Sequence, residues 1–295
     1  DNIDSLASIT NSLYEASLNV DEAIQLFELP NIDDGQVRLD RLKVGPEIKL
    51  EDVTFAYPSN KKTILKNINL NIKSGEKIAI VGENGAGKTT LVKLLMRFYT
   101  VNSGKITINN IDVNELMMDD YYKNVSVLFQ DYNTYTNLRL KDNIFIGKSH
   151  KKFSKKNMIK AADYADIHEF VNSYKNGFDQ VLSEKYKGGI RPSTGQWQKI
   201  SIARFFYRNA PLVIFDEPTA SIDAVSESKI FNRIYKFFKK KTVIIISHRF
   251  STVRNADRIL VLDNGEIVEQ GTHQELIKLK GKYAKAFETQ ASGYR

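Results

Sequence analysis

Residues 82–89 combine three glycines, a lysine and a threonine at a spacing that suits phosphate binding. They read Gly-Glu-Asn-Gly-Ala-Gly-Lys-Thr, which fits the pattern G-x-x-x-x-G-K-[ST] without a gap. A strand predicted at 77–81 precedes the motif and a helix predicted at 88–98 follows it, and in this context the pattern is specific. Glycines let backbone N–H groups turn toward phosphates, and the helix start adds partial positive charge. The motif therefore predicts nucleotide binding, with Lys88 at the β and γ phosphates and the Thr89 hydroxyl at Mg²⁺.

Two acidic residues follow an apolar run further along the chain. The run is Leu212 to Phe215, and the acids are Asp216 and Glu217. Alone such a pair could cap a strand, but ligands of α/β sheets lie at the carboxyl ends of strands. Phosphoryl transfer depends mostly on positioning and charge neutralisation. We therefore expect Asp216 to hold the metal, usually through water, and Glu217 to orient or deprotonate the attacking water.

The elements that must position these residues are strands of two kinds, separated by helices. Continuous apolar runs are typical of central strands in a parallel sheet, and they occur at Ile78–Val81, Leu212–Phe215 and Val243–Ile246. Alternating patterns predict half-exposed antiparallel strands, and they place apolar residues at Ile48, Leu50, Val53, Phe55, Ile68, Leu70 and Ile72. Asn264-Gly265 between apolar runs predicts a hairpin. Helices are predicted at 88–98, 155–172, 195–208, 226–239 and 272–289. The fold class is α/β with an antiparallel accessory sheet.

The amino-terminal part differs from the rest in composition. Residues 1–29 contain neither Gly nor Pro and carry a partial helical stripe, and residues 30–47 form a linker that begins at Pro30. The helix is either an ordinary packing helix or the cytosolic end of a membrane-domain helix that continues from upstream sequence. The chain begins with Asp1 rather than Met, so we expect a fragment or a processed form.

Composition excludes several classes of protein. The 42% hydrophobic content excludes a disordered chain, and the absence of cysteine excludes disulfides, zinc-thiolate sites and a cysteine nucleophile. No apolar run approaches the roughly 18–20 residues that span a bilayer, and no signal-peptide pattern is present. The net charge of +8 favours anionic partners such as nucleotides, nucleic acids or lipid headgroups. Because the charge is spread along the chain, we expect short lysine runs such as 151–152 and 239–241 to be solvated loops.

The segment from about 48 to 290 resembles the nucleotide-binding domain of an ATP-binding cassette (ABC) protein. Besides the two motifs above, five elements match this family in its order: Tyr57 as the aromatic residue that stacks on adenine, Gln130 as the γ-phosphate sensor that touches Mg²⁺, Ser193 to Lys199 as the signature motif, Ala220 to Asp223 as the loop that links two nucleotide sites, and His248 as the switch histidine. The resemblance implies a P-loop NTPase core with a mostly parallel central sheet, an antiparallel accessory sheet and a helical signature subdomain at about 131–210. It implies a nucleotide-binding domain over 48–291.

The resemblance also assigns roles to individual residues. Catalytic roles fall to Glu217, His248, Lys88 and Gln130. Metal binding falls to Thr89, Gln130 and Asp216. Contacts to ATP fall to Tyr57, Gly82, Glu83, Asn84, Gly85, Ala86, Gly87, Lys88, Thr89, Thr90, Gln130, Ser193, Thr194, Gly195 and Gln196. The expected ligands are thus ATP and Mg²⁺.

The signature departs from the usual Leu-Ser-Gly-Gly-Gln, because this chain has Pro192-Ser193-Thr194-Gly195-Gln196. Thr194 keeps the backbone N–H but adds a β-branched side chain where glycine allows close approach. The change bears on the hydrolysis rate more than on binding. Since Glu217 and His248 are both present, we expect an active ATPase.

The stretch from Asp257 to Leu276, the amino-terminal helix and the linker resemble exporters. Gly188-Gly189 and the segment 195–199 resemble bacterial exporters of peptides, including bacteriocins and lantibiotics. The resemblance implies a head-to-tail dimer with a second nucleotide-binding domain, identical or related. It also implies a membrane-spanning part fused upstream, a position at the cytoplasmic face of the cell membrane, and no nucleic-acid partner.

Two alternatives stay open: a separate importer ATPase subunit, and a regulatory module that binds ATP with negligible hydrolysis. A cassette ATPase that acts on DNA would carry a long heptad-rich insertion, which residues 90–192 lack.

Overall fold

The computed structural model describes residues 2–27, 34–60, 62–217, 224–247 and 249–292. The strands in these ranges are β1 (Ile48–Ala56), β2 (Thr63–Ile72), β3 (Lys77–Val81), β4 (Ser103–Ile108), β5 (Ile111–Asp112), β6 (Val125–Leu128), β7 (Leu212–Asp216), β8 (Thr242–Ile246), β9 (Arg258–Asp263) and β10 (Glu266–Gly271). The helices are α1 (Asn2–Phe27), α2 (Lys88–Leu95), α3 (Met118–Asn124), α4 (Leu140–Phe145), α5 (Lys155–Ala165), α6 (His168–Ser173), α7 (Thr194–Arg208), α8 (Ala224–Phe237), α9 (Phe250–Val253), α10 (His273–Leu279) and α11 (Lys282–Ser292). Short 3₁₀ helices occupy Ile146–Lys148 and Gly177–Asp179.

The chain divides into two units, Asp1–Gly35 and Gln36–Arg295. The first unit consists of α1, on which Ile9, Leu13 and Ile24 are exposed. No helix in the described part of the chain is both long enough and apolar enough to cross a membrane. The proposed domain boundaries, including a membrane-domain helix end at 1–29, stay a prediction.

The main sheet of the second unit has the strand order β10-β9-β3-β8-β7-β6. Neighbours among β9, β3, β8, β7 and β6 run parallel, and β10 is antiparallel to β9. Side chains on the two faces of β8 enter different cores: Ile244 and Ile246 pack in one, and Val243 and Ile245 in another. Burial on both faces explains the continuous apolar runs and confirms the predicted parallel sheet.

The smaller sheet has the order β2-β1-β4-β5 and is antiparallel throughout. Ile48 lies opposite Ile72, Leu50 lies opposite Leu70, and all four side chains are buried. The alternation seen in the sequence therefore marks the face that enters the core. The antiparallel accessory sheet is confirmed.

The hairpin is present as well: residues 264 and 265 have φ values of 49° and 83° and join β9 to β10. Positive φ at both central positions is what a two-residue hairpin turn of type I′ requires, and Asn-Gly tolerates it.

Three predicted helices are wrong in extent. The helix predicted at 155–172 breaks at Asp166, and the one at 272–289 breaks at Lys280, where φ is 58° and 55° respectively. The helix predicted at 88–98 ends at Leu95, and Arg97 also has a positive φ of 55°. Tertiary contacts hold two of the breaks: the Asp166 carboxylate accepts from Lys199 and Arg233, and the Arg97 guanidinium donates to backbone carbonyls.

The linker is fastened to the amino ends of the parallel strands. The Leu42 N–H donates to Asn124 Oδ1 at 2.8 Å, directly before β6. The Gly45 N–H donates to the Lys240 carbonyl at 2.7 Å, and the Thr242 hydroxyl at the start of β8 donates to the Pro46 carbonyl at 2.6 Å. A Cβ at Gly45 would lie 1.9 Å from the Thr242 backbone nitrogen. Only glycine fits this close approach of two backbones.

We predict that Gly45→Ala lowers the free energy of unfolding by about 2 kcal/mol or more, because backbone rather than side chain must shift. Gly177→Ala is the control, since its Cβ would meet nothing within 4 Å and only its left-handed backbone, with φ 53°, opposes the change. Urea unfolding of both variants measures the difference. An equal loss of unfolding free energy in the two variants would contradict the claim that the close backbone approach at Gly45 requires glycine.

Candidate nucleotide site

The residues predicted to bind phosphate meet in one open cleft at the carboxyl ends of the parallel strands. Its volume is about 880 Å³. It is lined by Tyr57, Ile64, Gly82, Glu83, Asn84, Gly85, Gly87, Lys88, Thr89, Thr90, Gln130 and Glu217. Of the remaining predicted residues, Ala86 and Asp216 are buried behind the lining, at 5% and 2% exposure. Segments up to 160 residues apart in sequence thus form one site.

The glycine loop joins β3 to α2 and its conformation needs glycine at defined points. Gly87 is the N-cap of α2 with φ 105°, and a Cβ there would lie 2.7 Å from Leu65 of the smaller sheet. A Cβ at Gly82 would lie 2.1 Å from the Leu262 carbonyl oxygen. Because both neighbours press against the loop, its backbone N–H groups are held at the start of a helix, the usual site of phosphate binding.

Lys88 is 6% exposed, and its ammonium group donates to the carbonyls of Gly82 at 2.8 Å and Glu83 at 2.9 Å. The side chain therefore folds back over the loop that precedes it. Burial lowers its pKa, while the negative charges of Glu217 and Asp216 act in the opposite direction. The lysine thus lies between the phosphate loop and the two acids.

Asp216 ends β7 and is almost fully buried. Burial raises its pKa, a hydrogen bond from Thr89 lowers it, and the nearby charge of Glu217 raises it again, with a net upward shift. Glu217 has a left-handed backbone, with φ 49°, and its N–H donates to the Ile246 carbonyl at 3.0 Å. Non-glycine residues adopt this conformation at a cost, and such strain is typical of functional sites. It places Glu217 in the cleft lining and leaves Asp216 behind it.

Tyr57 is held from three sides. Its ring packs edge-on against Phe55 and Tyr99, with centroids 5.1 Å apart in both pairs. Its hydroxyl is 3.0 Å from Thr90 Oγ1, and the Lys93 ammonium lies 5.5 Å from the ring centroid. The ring therefore has a fixed orientation at the cleft, as an aromatic base platform requires.

The signature residues do not line the cleft. Ser193 is the N-cap of α7, its hydroxyl accepts from the Gln196 N–H, and Gln196 Oε1 accepts from the Ser193 N–H, which forms a capping box. Ser193 and Thr194 are exposed. The Gln196 N–H is thus used within the cap, whereas the N–H groups of Thr194 and Gly195 have no acceptor within the helix. The predicted ATP contacts of Ser193, Thr194, Gly195 and Gln196 stay predictions.

Two residues that the sequence analysis missed connect Gln130 to α7. The Tyr132 hydroxyl donates to the Thr194 carbonyl at 2.9 Å. Arg204 packs on the Tyr135 ring at 4.7 Å and donates to the carbonyls of Asn133 and Asn143. The segment after Gln130 is therefore attached to α7 at two places: at its first turn through Tyr132 and nearer its carboxyl end through Arg204. Only the closeness of Tyr132 to Gln130 in sequence could have suggested this role.

Two predicted elements, the loop 220–223 and His248, lie outside the described residues. The described residues that follow each of these elements are joined by an ion pair and a hydrogen bond. The buried Glu227 of α8 pairs with Arg249 and accepts from the Thr252 hydroxyl at 3.1 Å. This network joins the segment after residue 223 to the segment after residue 248.

A strand, a glycine loop and a helix on a parallel sheet, with acids at the end of another strand, define a P-loop NTPase. Residues 65–220 match the family model described as ABC transporter. The chain belongs to the ABC transporter family and is an ATPase domain of it. Nucleotide binding, the predicted fold class and the resemblance to exporters are thereby confirmed.

Individual relatives agree with this assignment. The chain is 37% identical to the subtilin transport ATP-binding protein SpaT of Bacillus subtilis, over 95% of this chain and 45% of the relative. It is 35% identical to an ATP-dependent lipid A-core flippase of Syntrophus aciditrophicus, over 97% of this chain and 46% of the relative. A bacterial Atm1-family ABC exporter, solved with ATP bound, superposes with a TM-score of 0.82 at 29% identity and covers 97% of this chain and 49% of its own. The chain thus spans about half the length of these proteins.

We predict that Asp216→Asn stabilises the free chain at pH 7.5. An acid whose pKa is raised by folding favours the folded state only below its ordinary pKa, and this contribution is lost as the pH rises through the folded value. The unfolding midpoint should rise by roughly 2–4 °C for each kcal/mol gained, and the gain should shrink toward pH 4. Asp263→Asn is the opposite control, because the hydrogen bond from Lys282 lowers the pKa of Asp263. Thermal unfolding without nucleotide at both pH values measures this, and a loss of stability in Asp216→Asn contradicts it.

Proposed function

We propose that this chain drives the export of a substrate across a membrane by closing head to tail with a second nucleotide-binding domain on two ATP molecules. The supporting observation is that the predicted signature residues lie outside the lining of the cleft in their own chain. The cleft holds the glycine loop, Lys88 and Glu217, whereas the exposed first turn of α7 lies outside it. A second copy would supply the missing half to each cleft.

The exposed helix start is chemically suited to that task. The first N–H groups of a helix lack intrahelical acceptors and attract anions. The Ser193 hydroxyl and the N–H groups of Thr194 and Gly195 would meet the γ-phosphate of ATP held by the partner. In a water-excluded interface such donors stabilise the charge that develops during phosphoryl transfer. Closure thus raises the hydrolysis rate above that of a lone chain.

Within each cleft we assign roles by position. The loop N–H groups and Lys88 bind the phosphates, Tyr57 stacks on the adenine, and Glu217 orients and polarises the attacking water. Gln130, on the segment fastened to α7, contacts the γ-phosphate, and His248 keeps the role of switch histidine that the family resemblance assigns to it. ATP binds the closed dimer better than the open one, and hydrolysis removes this preference.

The cleft also fits Mg²⁺. Thr89 and Asp216 are hydrogen-bonded to each other, and Asp216 is a buried acid whose pKa is raised, so a cation beside it would be favourable. No group of three His, Cys, Asp or Glu side chains in the described part of the chain could hold a metal. This suits Mg²⁺, which uses one or two protein oxygens together with waters and substrate phosphates. Thr89, Asp216 and Gln130 would hold it, and the ion would neutralise phosphate charge.

The whole protein extends this proposal beyond the present chain. The relatives are about twice as long, and their names describe subtilin transport and lipid A-core flipping. We infer that a membrane-spanning part belongs to the same transporter, fused upstream of α1, and that this domain acts at the cytoplasmic face of the membrane. A peptide is the cargo that the similarity to SpaT favours.

A mixing experiment tests the composite site. Lys88→Ala disables the cleft and leaves α7 intact. Thr194→Glu leaves the cleft intact and places a negative charge where the partner's γ-phosphate would lie; the helix tolerates it, since acids are favourable in a first helical turn. Each variant alone should be inactive in steady-state phosphate release. An equimolar mixture should recover about a quarter of the wild-type rate, because half of the dimers carry one intact site.

Thr194→Gln is the matched neutral control and should retain most of the activity. If the mixture stays as inactive as its components while each variant binds its partner, the site is complete within one chain and the head-to-tail proposal fails. A wild-type rate per molecule that rises with protein concentration is the expected companion result.

A further inference from the structure

Six basic side chains gather at the amino ends of the parallel strands, at the opposite edge of the sheet from the nucleotide cleft. We name them the basic cluster: Arg41, Lys148, His150, Lys151, Arg208 and Lys241. They come from four separate segments, namely the linker, the stretch after α4, the last turn of α7 and the residue before β8. None belongs to the cleft lining.

Backbone contacts hold these segments together. Arg208 donates to the carbonyls of Val125 at 2.9 Å and Gly147 at 3.1 Å, which places Lys148 beside it. Arg41 precedes Leu42, whose N–H is bonded to Asn124 at the start of β6. Lys241 follows Lys240, whose carbonyl accepts from Gly45 of the same linker. The cluster is therefore part of the fixed fold.

The charges of the cluster act on one another. The pKa of Lys148 is lowered by burial and then by the positive charges of Arg41, Lys151, Arg208 and Lys241. The pKa of His150 is lowered by burial and then by four of the same neighbours. After burial, the largest contributions to both shifts are positive charges of the cluster itself. The cluster is thus a site of uncompensated positive charge.

Among the described residues, no ion pair includes a member of the basic cluster, whereas lysines and arginines on other surfaces have acidic partners. Arg208 is compensated in part, because its nitrogens donate to three carbonyls and it lies at a helix carboxyl terminus. Lys148 and Lys241 are half-buried and have no described hydrogen-bond acceptor. Half-buried cations side by side are unfavourable unless an anion joins them.

We propose that the basic cluster binds a phosphate-bearing anion that carries at least two negative charges. Phosphate oxygens accept several hydrogen bonds at once, which matches the ammonium groups of Lys148 and Lys241 and the guanidinium of Arg41. Arg208 contributes charge, since its donors are already used. A strand of five residues separates this site from the cleft by about 16 Å, so the two sites bind independently.

The position of the cluster gives the anion a structural consequence. Arg41 belongs to the linker, Arg208 to the end of α7, and Lys241 to the start of β8. An anion held between them would fasten the linker to the helical segment and the sheet. The same chemistry is available from a soluble oligophosphate or from the headgroup of an anionic phospholipid.

Titration calorimetry of the full chain with inorganic tripolyphosphate tests the proposal. The wild type should bind two equivalents, one in the cleft and one at the cluster. Lys88→Ala should keep the cluster site, and the double variant Arg41→Glu with Lys241→Glu should keep only the cleft site, with the second step weakened roughly tenfold or more. Lys278→Glu with Lys285→Glu changes the net charge equally at exposed positions far along the chain and should bind like the wild type.

If the wild type binds only one equivalent of tripolyphosphate and Lys88→Ala binds none, the cluster does not bind the anion and the proposal is wrong. This result would not count against the nucleotide site. Conversely, if the wild type binds one equivalent, which Lys88→Ala keeps and the double glutamate variant loses, the result contradicts the proposed function and not the cluster. If the charge-reversed variant does not fold, Lys148→Gln with Lys241→Gln serves in its place, because it removes repulsion without adding acid.

Vesicle sedimentation distinguishes the two sources. Cluster-dependent binding to phosphatidylglycerol vesicles, beyond any binding to neutral phosphatidylcholine vesicles, identifies a lipid headgroup. If the cluster binds tripolyphosphate but does not increase binding to phosphatidylglycerol vesicles, its ligand is a soluble anion. If neither probe distinguishes the cluster variants from the control variant, the cluster is only a basic surface and the proposal is wrong.

Discussion

The buried charges at the end of the main sheet are the constraint on which the rest of the site depends. Lys88 and Asp216 are both almost inaccessible to water, and each has its pKa shifted toward its neutral form by burial. Charged groups are kept in such a place only when the surrounding fold fixes their partners. Here the apolar strands fix Asp216, and the glycine loop, pressed by Leu65 and Leu262, fixes Lys88. A phosphate and a cation would complete this balance of charges.

The hydrogen bonds around α7 extend that constraint across the domain. Tyr132 and Arg204 attach the segment after Gln130 to the helix whose first turn faces outward. At the other end of the same helix, Arg208 attaches it to the start of β6. The helix α7 thus contacts the segment that follows β6 and also the first residue of β6. The segment after residue 130 and the exposed first turn of α7 are therefore joined by a direct hydrogen bond.

Much of the fold follows from local pattern. The continuous runs at β3, β7 and β8, the alternation in β1 and β2, and the Asn-Gly hairpin each carry a single structural meaning. The motif at 82–89 and the acids at 216–217 likewise located the cleft. The breaks at Asp166 and Lys280 could not be predicted, because neither Gly nor Pro marks them and long-range contacts hold Asp166. For the same reason Tyr132 and the basic cluster, which depend on segments distant in sequence, gave no motif.

The capping box of α7 has a consequence for how a phosphate could be recognised. The Ser193 oxygen accepts the Gln196 N–H, so one lone pair is used within the helix cap. Its own proton is not needed there, since a hydroxyl both donates and accepts. The side chain can therefore stabilise the helix and present a hydrogen to an incoming oxyanion at the same time. The helix cap thus uses the acceptor side of this hydroxyl group, and its donor side is left over for a ligand such as the phosphate that we propose.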